Sequence, residues 1–438
     1  MKVMKFGGTS VGSPERIKKV AQLIHNGERN FVVLSAMSGT TNSLVEIADY
    51  YSKNNRESAK ALINKLRAKY VKHIEELYTT EEARKETAQA LNKVFSRLLA
   101  FGGHNFTHDD EKEILSMGEI MSTHMMTNYL KENGVRVILL PAFEFMRIDQ
   151  NREPDLRYLT EHLEPLLKAN AETEIFITQG FICLNSDGKI DNLERGGSDY
   201  TASLIGAAIK AKEIQIWTDI DGMHNNDPRI VDGTKPVHQL HFEEAAELGY
   251  FGAKILHPTC IQPAKFAGIP VKLLNTMNPE AEGTIINNHY EEGKIKAVAA
   301  KDNITIIKIV SSRMLLARGF LRKVFEIFEQ FNTSIDVVTT SEVGVSMSID
   351  NDAYLANIVE ELKKYGTVQV NKDMCIICVV GDLRSRNTGF ESQIINAMNK
   401  IPIRMISYGG SSHNISFIIH KDFKKQALQS LSKHLFQD

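Results

Sequence analysis

The chain has 438 residues, with a hydrophobic fraction of 42% and a charged fraction of 24%; at ~150 residues per domain this means two to four globular domains, and extensive disorder is excluded. With 52 Lys and Arg against 54 Asp and Glu, the formal net charge of -2 provides no broad field for nucleic acid or an anionic membrane, so an anionic ligand has to be held locally. No apolar run reaches the ~20 residues of a membrane span, and the N-terminus MKVMKFGGTS lacks a basic region followed by an apolar stretch, so a cytoplasmic location is expected.

In chain order, the first 290 or so residues alternate strand-like and helix-like segments, which predicts an α/β sheet with helices on both faces. Residues 3–6 read as a short strand ending in Gly7-Gly8-Thr9-Ser10, and Ser13-Pro14 opens a helix with a cap residue and a proline at its first position. Residues 31–34 form a nearly continuous apolar strand running into Ser35-Ala36-Met37-Ser38-Gly39-Thr40. From residue 58 to about 100, apolar residues recur at helical spacing among charged ones, which predicts a helical insertion. His104, His108, Asp109 and Asp110 crowd the polar stretch that follows; a loop leading into a helix explains them more simply than a metal site. Further strands are predicted at 135–140, 174–182, 214–218 and 271–274.

Near residue 290 the pattern changes to two segments of similar layout. The first reads as a strand at 304–309, a helix from Gly319 to about 331, strands at 334–338 and 344–349, and a helix to 365. The second repeats that order with a strand at 374–380, a helix after Gly389, strands at 404–407 and 415–419, and a helix from Asp422. GFLRKVFEIF aligns with GFESQIINAM and VSMSI with ISFII, a repeat of about 70 residues that predicts two antiparallel α+β units. The second copy lacks a closing strand, so 295–300 or 367–370 is expected to complete its sheet and interleave the two. The predicted domains are 1–290, 295–371 and 372–438. Four cysteines are too few for a disulfide framework. Cys375 and Cys378 form C-x-x-C inside a buried strand, where positions three apart face opposite ways, so no metal site is predicted.

Four glycine-containing loops follow predicted strands, the place where open α/β sheets gather ligands. Lys5-Phe6-Gly7-Gly8 sets a cation beside two glycines whose N–H groups can approach phosphate oxygens. The lysine precedes the glycines, so this is no Walker A loop, and G-x-G-x-x-G is also absent here. Arg195-Gly196-Gly197-Ser198-Asp199 opens a small-residue helix: Arg195 can fork onto a carboxylate or phosphate, Asp199 can orient lysines or a metal ion, and Ser198 serves equally as an ordinary N-cap. Thr218-Asp219, leading to Asp227-Pro228-Arg229, suits either a nucleotide clasp or plain turn chemistry. Lys254 follows Gly252 in the fourth loop, and two separated lysines with a glycine cradle suit phosphoryl transfer. Glu119 lies in a helix of apolar and small residues, where a buried carboxylate calls for a cationic partner.

Together KFGGTSV at 5–11, SMGEIMS at 116–122, TQGFI at 178–182, ERGGSDYTA at 194–202, WTDIDG at 217–222 and FGAKILHP at 251–258 resemble aspartate kinase, over essentially the whole chain. The repeated C-terminal unit is similar to that family's paired ACT regulatory domains, and the type resembled is the monofunctional, lysine-sensitive one. The resemblance implies an amino-acid kinase-like open sheet followed by two ferredoxin-like ACT units. It implies ATP- and Mg2+-dependent phosphorylation of the L-aspartate side chain to 4-phospho-L-aspartate, the first step of lysine, threonine and methionine biosynthesis. Lys5, Asp199 and Lys254 would be catalytic, the two lysines on ATP phosphates. Ser35, Thr41, Glu119, Arg195 and Ser198 would hold aspartate, with Glu119 on its ammonium and Arg195 on its α-carboxylate. Gly7, Gly8, Thr218, Asp219, His224, Arg229 and Lys254 would hold ATP, although His224-Asn225-Asn226 replace the family's usual tyrosine and threonines.

The same resemblance implies a lysine effector site at Met314, Gly319, Phe320, Leu321, Ser334, Asp336, Ser341 and Glu342, and a homodimer or homotetramer formed through the ACT-like units. Asp336 and Glu342 would face the ammonium groups and the helix N-terminus at Gly319 the carboxylate. Leu316 and Ala317 replace a histidine and a serine usual in lysine-sensitive bacterial relatives. Two other readings compete: a silent ACT-type amino-acid sensor, against which the intact Lys5, Glu119, Arg195, Asp199 and Lys254 count, and a kinase for glutamate or N-acetylglutamate. Glu119 discriminates the latter, because an acylated amine needs no carboxylate partner.

Overall fold

The computed structural model describes residues 1–193, 196–252, 256–311, 318–384 and 388–436. They fall into two units, one of Met1–Met223 with Leu256–Asn288 and one of His224–Ile255 with His289–Asp438. Strands of the first unit are β1 (Lys2–Phe6), β2 (Asn30–Leu34), β3 (Val137–Leu139), β4 (Ile175–Gln179), the hairpin of β5 (Ile182–Leu184) and β6 (Ile190–Asn192), and β7 (Ile214–Thr218). After β8 (Gln239–His241), which belongs to the second unit, the first resumes with β9 (Val271–Asn275) and β10 (Thr284–Asn287). Its main sheet runs β3-β4-β2-β1-β7-β9-β10, parallel except for β10. Every residue of β2 and β4 is buried, as parallel strands covered on both faces require.

Local chemistry sets the helix ends. Ser13 caps α1 (Pro14–Ile24) by accepting from the Arg16 N–H, with Pro14 in its first turn. After α2 (Thr40–Ser52), the helical insertion consists of α3 (Arg56–Leu77) and α4 (Glu81–Ala100), divided where Thr80 caps the second. α5 (His108–Glu132) begins with a capping box between Thr107 and Asp110, and Asp110 also binds His104 at 3.0 Å. The histidine–aspartate cluster is thus a helix start, and no group of three or more metal-ligating side chains occurs among the described residues. The strand predicted at 174–182 breaks at Gly180: a Cβ there would lie 2.5 Å from Ser198, and Phe181 turns the chain with a φ of 69°. α6 (Leu156–Ala169), α7 (Gly197–Ala208) and, beyond the second unit's α8 (Phe242–Tyr250), α9 (Pro258–Ala267) complete the first unit.

In the second unit β11 (Ile295–Val310), β12 (Val337–Thr340), β13 (Gly344–Ile349), β14 (Thr367–Gly381), β15 (Ile403–Tyr408) and β16 (Asn414–His420) form one antiparallel sheet, ordered β12-β13-β11-β14-β16-β15. The duplication persists in detail: α10 (Phe320–Gln330) and α12 (Phe390–Ala397) each start on a left-handed glycine, Gly319 at φ 86° and Gly389 at φ 98°. α11 (Leu355–Lys363) and α13 (Lys424–Phe436) close the two halves. One core gathers Ile307, Ile309, Val324, Phe328 and Met347, the other Ile377, Val379, Phe417 and Leu428. The long strands bridge them: Ile307 to Val310 pair with Val370 to Thr367, whereas Ala297 to Lys301 pair with Val380 to Ile376. The expected boundary between 371 and 372 therefore falls inside β14, and residues 224–255 pack with the second unit. Cys375 and Cys378 are buried in β14, where burial raises both thiols, Cys375 to about 12, leaving them unreactive.

Candidate active site

The parallel strands β1, β2, β4 and β7 end on one edge of the sheet, and the loops leaving them carry the polar residues. After β1, the Gly7 N–H donates to the Trp217 carbonyl at 3.2 Å and the Gly8 carbonyl accepts from Ser38 N–H at 3.1 Å. A Cβ on Gly8 would lie 2.6 Å from the Ala36 oxygen, so only glycine lets the two loops approach. Lys5, on β1, meets Asp199, in the first turn of α7, with Nζ and Oδ1 2.7 Å apart; their side chains are 12% and 14% exposed. α7 starts on Gly196 at φ 70°, where a Cβ would strike Cys260 Sγ at 2.5 Å. Ser198 packs under Gly180.

Glu119 projects from α5 beside the loop that follows β2. Gly118 makes this possible, since a Cβ there would come within 2.6 Å of the Ala36 Cβ. Burial pushes the Glu119 carboxyl up to about 8, against the opposing pull of the Ala36 N–H, its own N–H and the charge of Lys5. Its Oε2 is buried without a hydrogen-bond partner among the described residues. The cationic partner expected from sequence is thus not supplied there: Lys5 is committed to Asp199, and the buried carboxyl is kept from ionising instead. Ser35 is held at both backbone ends, its N–H by the Phe6 carbonyl at 3.1 Å and its carbonyl by the Ser122 hydroxyl at 2.8 Å. Thr41 follows in the first turn of α2.

Lys5, Gly7, Gly8, Ser35, Thr41, Glu119, Ser198 and Asp199 all lie in the first unit on these loops or the helices that flank them. Thr218, at the end of β7, bonds the exposed Asp219 carboxylate at 3.2 Å. His224 and Arg229 belong to the second unit. There His224 Nδ1 bonds the Thr234 hydroxyl at 2.9 Å, and Arg229 forks onto Asp227 at 2.9 and 2.8 Å. Arg195, Lys254 and Met314 lie outside the described residues, as do Leu316 and Ala317.

Of the expected effector residues, Asp336 is the most constrained. Its side chain is 1% exposed, and Oδ1 receives both Lys301 Nζ at 2.8 Å and the Tyr250 hydroxyl at 2.7 Å. Lys301 also reaches Asp350 at 3.0 Å and sits 4.4 Å over the Tyr250 ring. Asp336 Oδ2 is buried and unpartnered among the described residues. The Phe320 side chain is part of the first core, where its apolar ring is the first anchor of α10. Gly319, Leu321, Ser334 and Glu342 are exposed, and Ser341 Oγ faces the Gly344 carbonyl at 3.4 Å. Sequence reasoning missed Ser122, Lys301 and Tyr250; only the serine had a signal, as part of the SMGEIMS motif.

Comparison with known proteins agrees with this architecture. Residues 1–275 match the amino acid kinase family and 377–435 an ACT domain. Lysine-sensitive aspartokinase 3 of Escherichia coli is 33% identical over 450 residues, covering 99% of both chains. Chloroplastic aspartokinase 1 of Arabidopsis thaliana is 35% identical over 463 residues, covering 99% of this chain and 80% of the relative. The structure of E. coli aspartokinase III with aspartate and ADP, in its R-state, superposes with a TM-score of 0.85 at 33% identity, covering 100% of both chains. The same enzyme with lysine and aspartate, in its T-state, gives 0.82. The chain belongs to the amino acid kinase family, phosphotransferases built on this open sheet. Within that family it is one of the aspartokinases, which phosphorylate aspartate.

Proposed function

We propose that residues 1–290 carry phosphoryl transfer from ATP to the L-aspartate side chain, giving 4-phospho-L-aspartate, and that 295–371 and 372–438 regulate it. The observation that carries the site reading is the Lys5–Asp199 pair beside the Gly7–Gly8 loop, with the buried Glu119 carboxyl on the neighbouring helix, whose Oε2 has no hydrogen-bond partner among the described residues. Lys5 is held by Asp199 so that its ammonium can meet charge on the transferring phosphoryl group, and the glycine N–H groups approach the phosphates. Glu119 takes the substrate ammonium, with Ser35 and Thr41 as the further aspartate contacts. Lys254 and Arg195 complete the charge neutralisation, Lys254 on phosphates and Arg195 on the α-carboxylate. Mg2+ fits as the counter-ion of ATP, because it is usually held by phosphates and one or two carboxylates, and Asp199 offers one; bound there, it would neutralise phosphate charge. ADP release measured over a panel of amino acids tests the reading. Aspartate alone should turn over, and activity with N-acetylaspartate or glutamate in its place would refute it.

His224 belongs to a turn in this reading, since its imidazole already bonds Thr234. His224→Tyr should leave the KM for ATP within about twofold of wild type, because the side chain it replaces holds Thr234 and makes no nucleotide contact in this reading. A clear fall would show that a base or ribose contact had been restored.

Lysine is the proposed feedback effector, acting on a homodimer or homotetramer in the cytoplasm. No helix among the described residues is long and apolar enough to cross a membrane. Asp336 offers a buried acceptor oxygen for a ligand ammonium, the other oxygen being occupied. Millimolar lysine should inhibit wild type, and Asp336→Ala should need about tenfold more lysine or greater, the effect of losing a charged hydrogen bond. Equal inhibition of both, with melting temperatures showing both folded, would point to another effector such as threonine.

A further inference from the structure

We propose that Tyr70, in α3 of the helical insertion, is a positioning residue for aspartate, acting through its hydrogen bond to Thr40. The proposal rests on the reading of Ser35, Thr41 and Glu119 as aspartate contacts. The loop joining β2 to α2 is fixed on one side by β1, the loop after it and α5: Ser35 bonds Phe6 and Ser122, and Ser38 N–H bonds the Gly8 carbonyl. Among the described residues, the hydrogen bonds on its other side come from α3. Lys69 Nζ donates to the Ser38 carbonyl at 3.0 Å, and the Tyr70 and Thr40 hydroxyls share a 3.0 Å hydrogen bond.

The second bond is the stronger anchor, because Tyr70 and Thr40 are both fully buried whereas the Lys69 contact is exposed. Tyr70 is fixed in turn by edge-on contacts with Phe95 at 6.0 Å and His73 at 6.4 Å. Thr40 immediately precedes Thr41 and packs against Gly118, where a Cβ would stand 3.4 Å from the Thr40 methyl and 2.6 Å from Ala36 Cβ. Glu119 follows Gly118 and accepts from the Ala36 N–H. The tyrosine hydroxyl therefore sets the height of the surface on which α5 rests, and with it the spacing between Thr41 and the Glu119 carboxyl. Supporting side chains locked by packing and hydrogen bonds are what hold a binding constellation in place, and a displacement of about 1 Å is enough to weaken it.

Tyr70→Phe removes one hydroxyl and leaves that of Thr40 buried without this partner. The KM for aspartate should rise about three- to tenfold, the range expected for one net hydrogen bond, with kcat and the KM for ATP changing less. Thr40→Val should produce the same split and Thr40→Ser should restore it. The double variant should be no worse than the worse single one, because both remove a single interaction. A role confined to core stability would lower the melting temperature and leave the two KM values unsplit; that result, or parallel rises in both KM values, overturns the proposal. Should Tyr70→Phe fail to fold, Thr40→Val and Thr40→Ser decide the question by the same criteria. Failure of the underlying site reading is separable: Glu119→Gln would then leave the preference for aspartate over N-acetylaspartate intact.

Discussion

Lys5→Ala is expected to lower kcat and kcat/KM together by about 10²–10³, the loss seen when one preorganised donor to developing charge is removed. The size follows from burial. Lys5 Nζ and Asp199 Oδ1 are 2.7 Å apart with both side chains largely withdrawn from water, so the ammonium is fixed before the reaction and no reorganisation is needed as charge shifts. Removing it also strands Asp199, so some loss of melting temperature accompanies the kinetic effect. A second consequence reaches Glu119, because the charge of Lys5 opposes the burial that raises that carboxyl. In Lys5→Ala the remaining activity should therefore have its acidic limb displaced to higher pH. Steady-state kinetics across pH check both parts; a near-normal kcat would remove Lys5 from the catalytic set.

Glu119 gives the second large effect. With its carboxyl pushed up to about 8, it is mostly protonated in the ligand-free protein at pH 7, yet the substrate brings an ammonium that favours the carboxylate. Aspartate binding at pH 7 should therefore release most of one proton, readable by calorimetry in buffers of different ionisation enthalpy. The KM for aspartate should rise as pH falls below about 8. Glu119→Gln should release no such proton and raise the KM for aspartate about 30-fold or more, the effect of truncating one partner of a buried charge pair. The sign on stability is also fixed. The folded carboxyl is raised above its ordinary value of 4.5, so the penalty for ionising it is absent at low pH and grows as pH climbs toward 8. Ligand-free Glu119→Gln should gain in melting temperature relative to wild type at pH 8 to 9 and show little of that gain at pH 5. Equal proton release by both proteins would contradict the assignment.

The parts of this molecule written in local chemistry were legible from the sequence. Alternating strands and helices, the Ser13-Pro14 helix start, the glycine loops at strand ends and the C-terminal duplication all depend on neighbouring residues, so order and spacing carry them. What escaped were partnerships settled only by packing. A carboxylate at 119 announced a cation, but Lys5 is spent on Asp199 and the carboxyl responds through its protonation instead. Asp336 read as an acid free for a ligand, whereas Lys301 and Tyr250, 35 and 86 residues away, already hold one of its oxygens. The Tyr70–Thr40 bond spans 30 residues and carries no motif, because hydroxyl pairs have no required spacing.

The continuous course of β11 and β14 through both regulatory cores has a consequence for anyone rebuilding this protein. Ala297 to Lys301 lie against Val380 to Ile376, and Ile307 to Val310 against Val370 to Thr367, so neither half owns all the strands that shelter its own core. A cut at 371 would sever β14 and leave raw backbone donors and acceptors on both fragments, an invitation to aggregate. Chimeras that exchange effector preference with a relative must therefore keep the stretch from 295 to 436 in one piece, together with residues 224–255, which pack in the same unit. Single-half grafts should yield insoluble product whatever the linker.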